Sequence, residues 1–150
     1  MQELSPVSMR TKLAFGVGAS GEAGTLWMFN ALTFFFYNQV LGLPPDLSGY
    51  AVTIAIIFDA ITDPVMGSIS DRFRSKYGRR HPFMFAAPGP ILIALFFIFN
   101  PPASINTDLS LFAWYTIFTI LIRVSLTLFT VPHLALGAEL SDDYDERSKV

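Results

Sequence analysis

Two acids interrupt a stretch that is otherwise apolar or small. Residues 47–70 read LSGYAVTIAIIFDAITDPVMGSIS, with Asp59 and Asp63 near the middle. Four residues apart on a helix, they share one face. A carboxylate inside hydrocarbon is costly, and it is retained where it faces a bundle interior or a wet cavity, where it marks an ion or substrate path. Two close carboxylates repel, and desolvation disfavours both charges. A proton or a bound Na+ relieves both penalties, and Na+ takes hard oxygen ligands such as carboxylates and a threonine hydroxyl.

Other polar residues fall at comparable depths. At about 1.5 Å of rise per residue, Asp63 lies roughly 12 Å from Asp71 at the helix end, and Asp59 roughly 18 Å. In the last apolar segment, Thr127 lies roughly 18 Å from Glu139, Thr130 roughly 14 Å and Arg123 roughly 24 Å. In the first segment, Glu22 is roughly 15 Å from Lys12. If these helices face one another, the groups line one cavity. Arg123 is then either a counter-ion for the acids or an anchor for a substrate. Glu22, set among small residues in GVGASGEAG, either contacts substrate or packs. A helix threonine can also bond back to its own backbone, so Thr127 and Thr130 are weak signals alone. His133 beside Pro132 is either a proton-handling group or, as most such residues are, a plain polar group near a cavity.

These groups need helices to hold them. The 150 residues are 52% hydrophobic and only 15% charged, with 15 phenylalanines and no cysteine. This is the composition of a membrane protein, without a disulfide framework or thiolate metal site. The net charge of −2 shows no nucleic-acid footprint. Four segments are long enough to cross a bilayer: 13–40, 47–70, 82–99 and 109–138. Pro64, Pro88, Pro90 and Pro132 are expected to kink the second, third and fourth. The apolar run that follows Arg10 and Lys12 is too long for a cleaved leader. Lys and Arg cluster in the N-terminal tail, between helices two and three, and after helix four. That bias puts the N-terminus in the cytoplasm.

The loop after helix two reads GSISDRFRSKYGRRHP from Gly67. Its order of Gly67, Asp71, Arg72, Gly78, Arg79 and Arg80 resembles the loop between helices two and three of the major facilitator superfamily. The longer string DAITDPVMGSISDRFRSKYGRRHPF resembles the glycoside–pentoside–hexuronide:cation symporters, the relatives of melibiose permease. Pro132 with the segment from Glu139 to Ser148 resembles the same family.

The resemblance implies an all-α membrane fold of about twelve helices, of which residues 1–150 hold four of the first half's six. It implies a plasma-membrane (bacterial inner membrane), multi-pass carrier that couples Na+ or H+ to uptake of a sugar or glycoside by alternating access. Asp59, Asp63 and Thr127 match the family's cation ligands, and the six loop residues match its cytoplasmic gate. The acids that bind galactosides in melibiose permease align with Ala23 and Thr130, so a different substrate is expected. Glu22, Arg123 and Thr130 are its candidate contacts, and Arg123 suits an anion such as a uronate. No cofactor is expected beyond the coupling ion; the partners are a small-molecule substrate, membrane lipid and the remaining transporter helices. The chain reads as an N-terminal piece. A non-transporting or truncated relative and a carrier of a non-sugar, anionic or lipid-like cargo are the alternatives. An enzyme is not expected: phospholipid-head-group transferases need D-x2-D-G, and here the spacing is D-x3-D-P.

Overall fold

The computed structural model describes residues 9–73 and 81–139, except certain side chains within those helices, Glu22 among them. Gly78, Arg79 and Arg80 lie outside the described residues, as does the segment from 140 onward. The described chain is helical: α1 Met9–Phe35, α2 Pro45–Arg72, α3 His81–Ala86, α4 Pro88–Ile98 and α5 Asp108–Glu139. A π-helical turn, Phe36–Val40, closes α1. Gly42, at φ 75°, then reverses the chain toward α2, as its missing Cβ permits.

Local chemistry sets the ends. Pro45 opens α2, where the absent N–H costs nothing. Asp46 in its first turn and Arg72 in its last oppose the helix dipole. At the start of α5, Thr107 and Ser110 cap each other: each side-chain oxygen accepts from the other's backbone N–H, at 3.1 and 3.2 Å.

Three of the described helical units are long and apolar enough to cross a membrane: Pro45–Arg72, His81–Ile98 and Asp108–Ala135. The first expected span is helical throughout and is not among these three; glycines and Ser20, Glu22, Thr25 and Asn30 dilute its apolar run. The prolines act less uniformly than expected. α2 continues through Pro64 and α5 through Pro132, whereas the third span is divided at Ala87, just before Pro88-Gly89-Pro90.

Helix α5 is the hub, with α2, α3 and α4 packed on it. Its buried face carries Tyr115, Thr119, Ile122, Ser125 and His133. The facing stripe of α2 is small at Ser48, Ala51, Ala55 and Ser70, all buried. Small residues let helix backbones approach where lipid supplies no hydrophobic drive. Asp59 and Asp63 continue that stripe at helical spacing.

Tyr37 and Tyr115 stack at 4.2 Å at the other end of the bundle from the α2–α3 connection. The Tyr37 hydroxyl donates to the Ile98 carbonyl at 2.8 Å, tying α1 to α4. Tyr37→Phe removes that bond alone, and a loss of about 0.5–1.5 kcal/mol is expected. A thermal melt of the detergent-solubilised full-length protein checks it; an unchanged melt would show that the bond contributes nothing.

Candidate functional site

The site forms where α2 and α5 meet in a fixed register. Arg123 Nη1 donates to Asp59 Oδ2 at 2.5 Å. The Thr127 hydroxyl donates to Asp63 Oδ1 at 2.8 Å. One turn further on, a methyl added at Gly67 would sit 3.8 Å from Val131 Cγ1. In each pair the α5 residue follows its α2 partner by the same interval, so the two helices run in the same direction with matched turns. Gly67 therefore lies on the face of α2 that meets α5.

The depth estimates above need a correction of one turn. They set Asp59 level with Thr127, but Asp59 faces Arg123 and Asp63 faces Thr127. The reason is the choice of helix ends as reference. In the observed register Asp71 is level with Ala135, so α5 extends a turn beyond α2 to reach Glu139.

The two acids thus have different surroundings. Asp59 is 24% exposed and shares its charge with Arg123, which is 10% exposed. Arg123 Nη2 also donates to Asn30 Oδ1 on α1, at 3.3 Å. Asp59 Oδ1 and Arg123 Nε are buried without a hydrogen-bond partner. Asp63 is exposed toward the cavity, and its neighbour is a neutral hydroxyl. Nearby Thr116 and Ser125 bond back to their own helix, to Phe112 and Leu121. Thr127 instead reaches across to α2, which distinguishes it from an ordinary helix threonine.

Both acids open onto one cavity of about 130 Å³, lined also by Leu26, Arg123, Leu126, Thr127 and Thr130. A second cavity of about 670 Å³ lies beside it, between α1 and α2. Its lining is mainly apolar, including Trp27, Phe34, Val52 and Ile56, and it shares Leu26 and Arg123 with the first. Asn30 was not among the expected site residues; its signal was a lone amide within the apolar run LWMFNALTFF. Asp71 and Arg72 end α2 on an exposed surface.

His133 does not line the ion-sized cavity. Its ring stacks on Phe129 at 5.3 Å and is buried against α1. A methyl at Gly18 would lie 3.2 Å from His133 Nε2. Gly18→Ile is therefore expected to destabilise the α1–α5 contact by about 1–3 kcal/mol through overpacking. Melting temperatures of the full-length carrier test this, and an unshifted value would mean that α1 moves aside freely.

The sequence profile described as "MFS/sugar transport protein" matches residues 14–150. The chain belongs to that family. Its members are integral membrane transporters that work by symport, not enzymes. An uncharacterized symporter of Synechocystis is 37% identical over 146 residues, covering 93% of this chain and 26% of the relative. The inner membrane symporter YicJ of Escherichia coli is 30% identical over 145 residues, covering 94% and 30%. The sodium-dependent lysophosphatidylcholine symporter 1 of Xenopus tropicalis is 27% identical over 143 residues, covering 94% and 27%. The chain thus spans between 26% and 30% of the length of these relatives. No solved structure matches it significantly.

Proposed function

We propose that the chain forms the cation-binding part of a symporter that couples Na+ or H+ to uptake of a sugar or glycoside by alternating access. The observation that carries this is the Thr127 hydroxyl on the Asp63 carboxylate, at the mouth of a cavity sized for an ion and a few waters. Carboxylate and hydroxyl oxygens suit a hard cation, and a cavity-facing acid in a membrane helix marks an ion path. Asp59 contributes its negative charge to the same cavity. Cation binding neutralises the site and favours substrate beside it. The partnerless Asp59 Oδ1 and Arg123 Nε offer an acceptor and a donor, the pairing that a sugar hydroxyl satisfies. Thr130 on the cavity wall, and Glu22 on α1, are further candidate contacts. At the end of α2, Gly67, Asp71 and Arg72, with Gly78, Arg79 and Arg80, form a cytoplasmic gate. The carrier sits in the plasma membrane with its N-terminus cytoplasmic.

The direct test is uptake by the full-length protein in proteoliposomes under imposed Na+ or proton gradients, across a panel of glycosides. Accumulation that depends on either gradient supports symport; equal uptake without a gradient sinks it. An amphiphilic cargo is the second reading. The mainly apolar cavity beside Arg123 favours it, and one relative is named for lysophosphatidylcholine. Gradient-driven uptake of anionic amphiphiles, with none of glycosides, would decide for it.

A further inference from the structure

We infer that Arg123 is a resident counter-cation for Asp59, so that a mobile coupling ion is held by one carboxylate, Asp63, rather than by two. This rests on the symport reading and refines which groups hold the ion.

Asp59 and Asp63 occupy successive turns of α2 and look interchangeable in the sequence. Their partners separate them. The Arg123 guanidinium is carried by α5, joined to Asp59 on α2 and held from its other side by Asn30 on α1. Three helices therefore fix it, and nine-tenths of its side chain is buried. Its charge is permanent at any physiological pH. At Asp59 the guanidinium already occupies Oδ2, and its positive charge opposes a Na+ ion or proton approaching the buried Oδ1. At Asp63 the competing group is the neutral Thr127 hydroxyl, which can turn its lone pairs toward a cation. The charged groups lining the cavity, among the described residues, are Asp59, Asp63 and Arg123. They leave one net negative charge, which a single monovalent cation neutralises.

A buried ion pair gives a specific mutational signature. Removing one partner strands the other's charge, whereas removing both is often tolerated. In Asp59→Asn the stranded guanidinium of Arg123 is drawn to the remaining acid, Asp63, and occupies the ion's seat. In Asp59→Asn/Arg123→Gln the stranded charge is gone and Asp63 is open again.

The experiment compares Asp59→Asn, Asp59→Asn/Arg123→Gln and Asp63→Asn in the full-length carrier. Asp59 and Arg123 also stand as candidate substrate contacts, so the readout that decides is substrate-free: equilibrium binding of radiolabelled Na+ alone, or proton release followed with a pH dye if Na+ does not bind, with gradient-driven uptake read for Asp63→Asn. Asp59→Asn is expected to lose about tenfold or more in cation affinity, and the double variant to recover to within about threefold of the parent. Recovered cation binding in the double variant, with none in Asp63→Asn, is the expected result. A double variant that folds but binds the cation as weakly as Asp59→Asn would make Asp59 an ion ligand and overturn the inference. So would a double variant that fails to fold where Asp59→Asn folds, because a pair that serves only mutual neutralisation can be removed together. Cation-coupled uptake that survives in Asp63→Asn would instead sink the symport site itself, whatever the double variant does.

Discussion

Asp63→Asn in the full-length protein abolishes cation-dependent uptake while leaving the carrier folded. The substitution keeps the size of the side chain and removes its charge. The amide can still accept from the Thr127 hydroxyl, now 2.8 Å from Asp63 Oδ1, so the α2–α5 contact survives. What disappears is the negative charge in the cavity, and with it the attraction for a cation. Losing the charged side of an ion–carboxylate contact in a partly wet cavity costs about 1.5–3 kcal/mol, roughly tenfold or more in affinity. Uptake under a Na+ or proton gradient, with melting temperature as the control for folding, reads the effect. Undiminished coupling in a correctly folded variant would move the ion site elsewhere.

Thr127 separates two explanations of the same cavity. Thr127→Val keeps the shape and removes the hydroxyl, whereas Thr127→Ser keeps the hydroxyl and removes a methyl. If the hydroxyl is an ion ligand, the valine variant loses about tenfold to a hundredfold in apparent Na+ affinity, the range expected for a hydrogen-bonding group on a charge. The serine variant stays near the parent. A carrier driven by protons responds differently: the valine variant keeps coupling with a shifted pH profile, because a proton needs no oxygen cage. Equal losses in both variants would point to packing against α2 rather than to the hydroxyl. The cation dependence of uptake, measured from low to saturating Na+ and across pH, distinguishes these results.

The two acids, their common face and the helical character of each long segment were legible from composition and spacing. Period and apolarity are local properties, and a carboxylate in an apolar run stands out against its neighbours without knowledge of the fold. The boundaries of α2 and α5 came within two residues of 47–70 and 109–138. Two elements were less legible. The third span is divided at Ala87, and a π-helical turn ends the first. The π-helical turn depends on how the last turn docks, as Tyr37 does against Ile98 and Tyr115, while the break falls just before Pro88-Gly89-Pro90. Thr127 was recognisable as a candidate only with the help of the family resemblance, because alone it resembles Thr116, which bonds back to Phe112.

Residue order was enough to determine what kind of protein this is. Acids set within apolar helices, clustered basic loops and the helix-two string lead to a membrane carrier, because each follows from a strong local cost or a fixed motif. It left Arg123 open between counter-ion and substrate anchor, and it set Asp59 level with Thr127. Only the tertiary structure decided which acid meets the arginine and which meets the hydroxyl. The reason is that a shift of one helical turn, about 5.4 Å, moves every cross-helix pair while leaving each helix's own pattern intact. Register between helices is fixed by cross-helix contacts, Arg123 on Asp59, Thr127 on Asp63 and Val131 beside Gly67, and no periodicity within one helix encodes it.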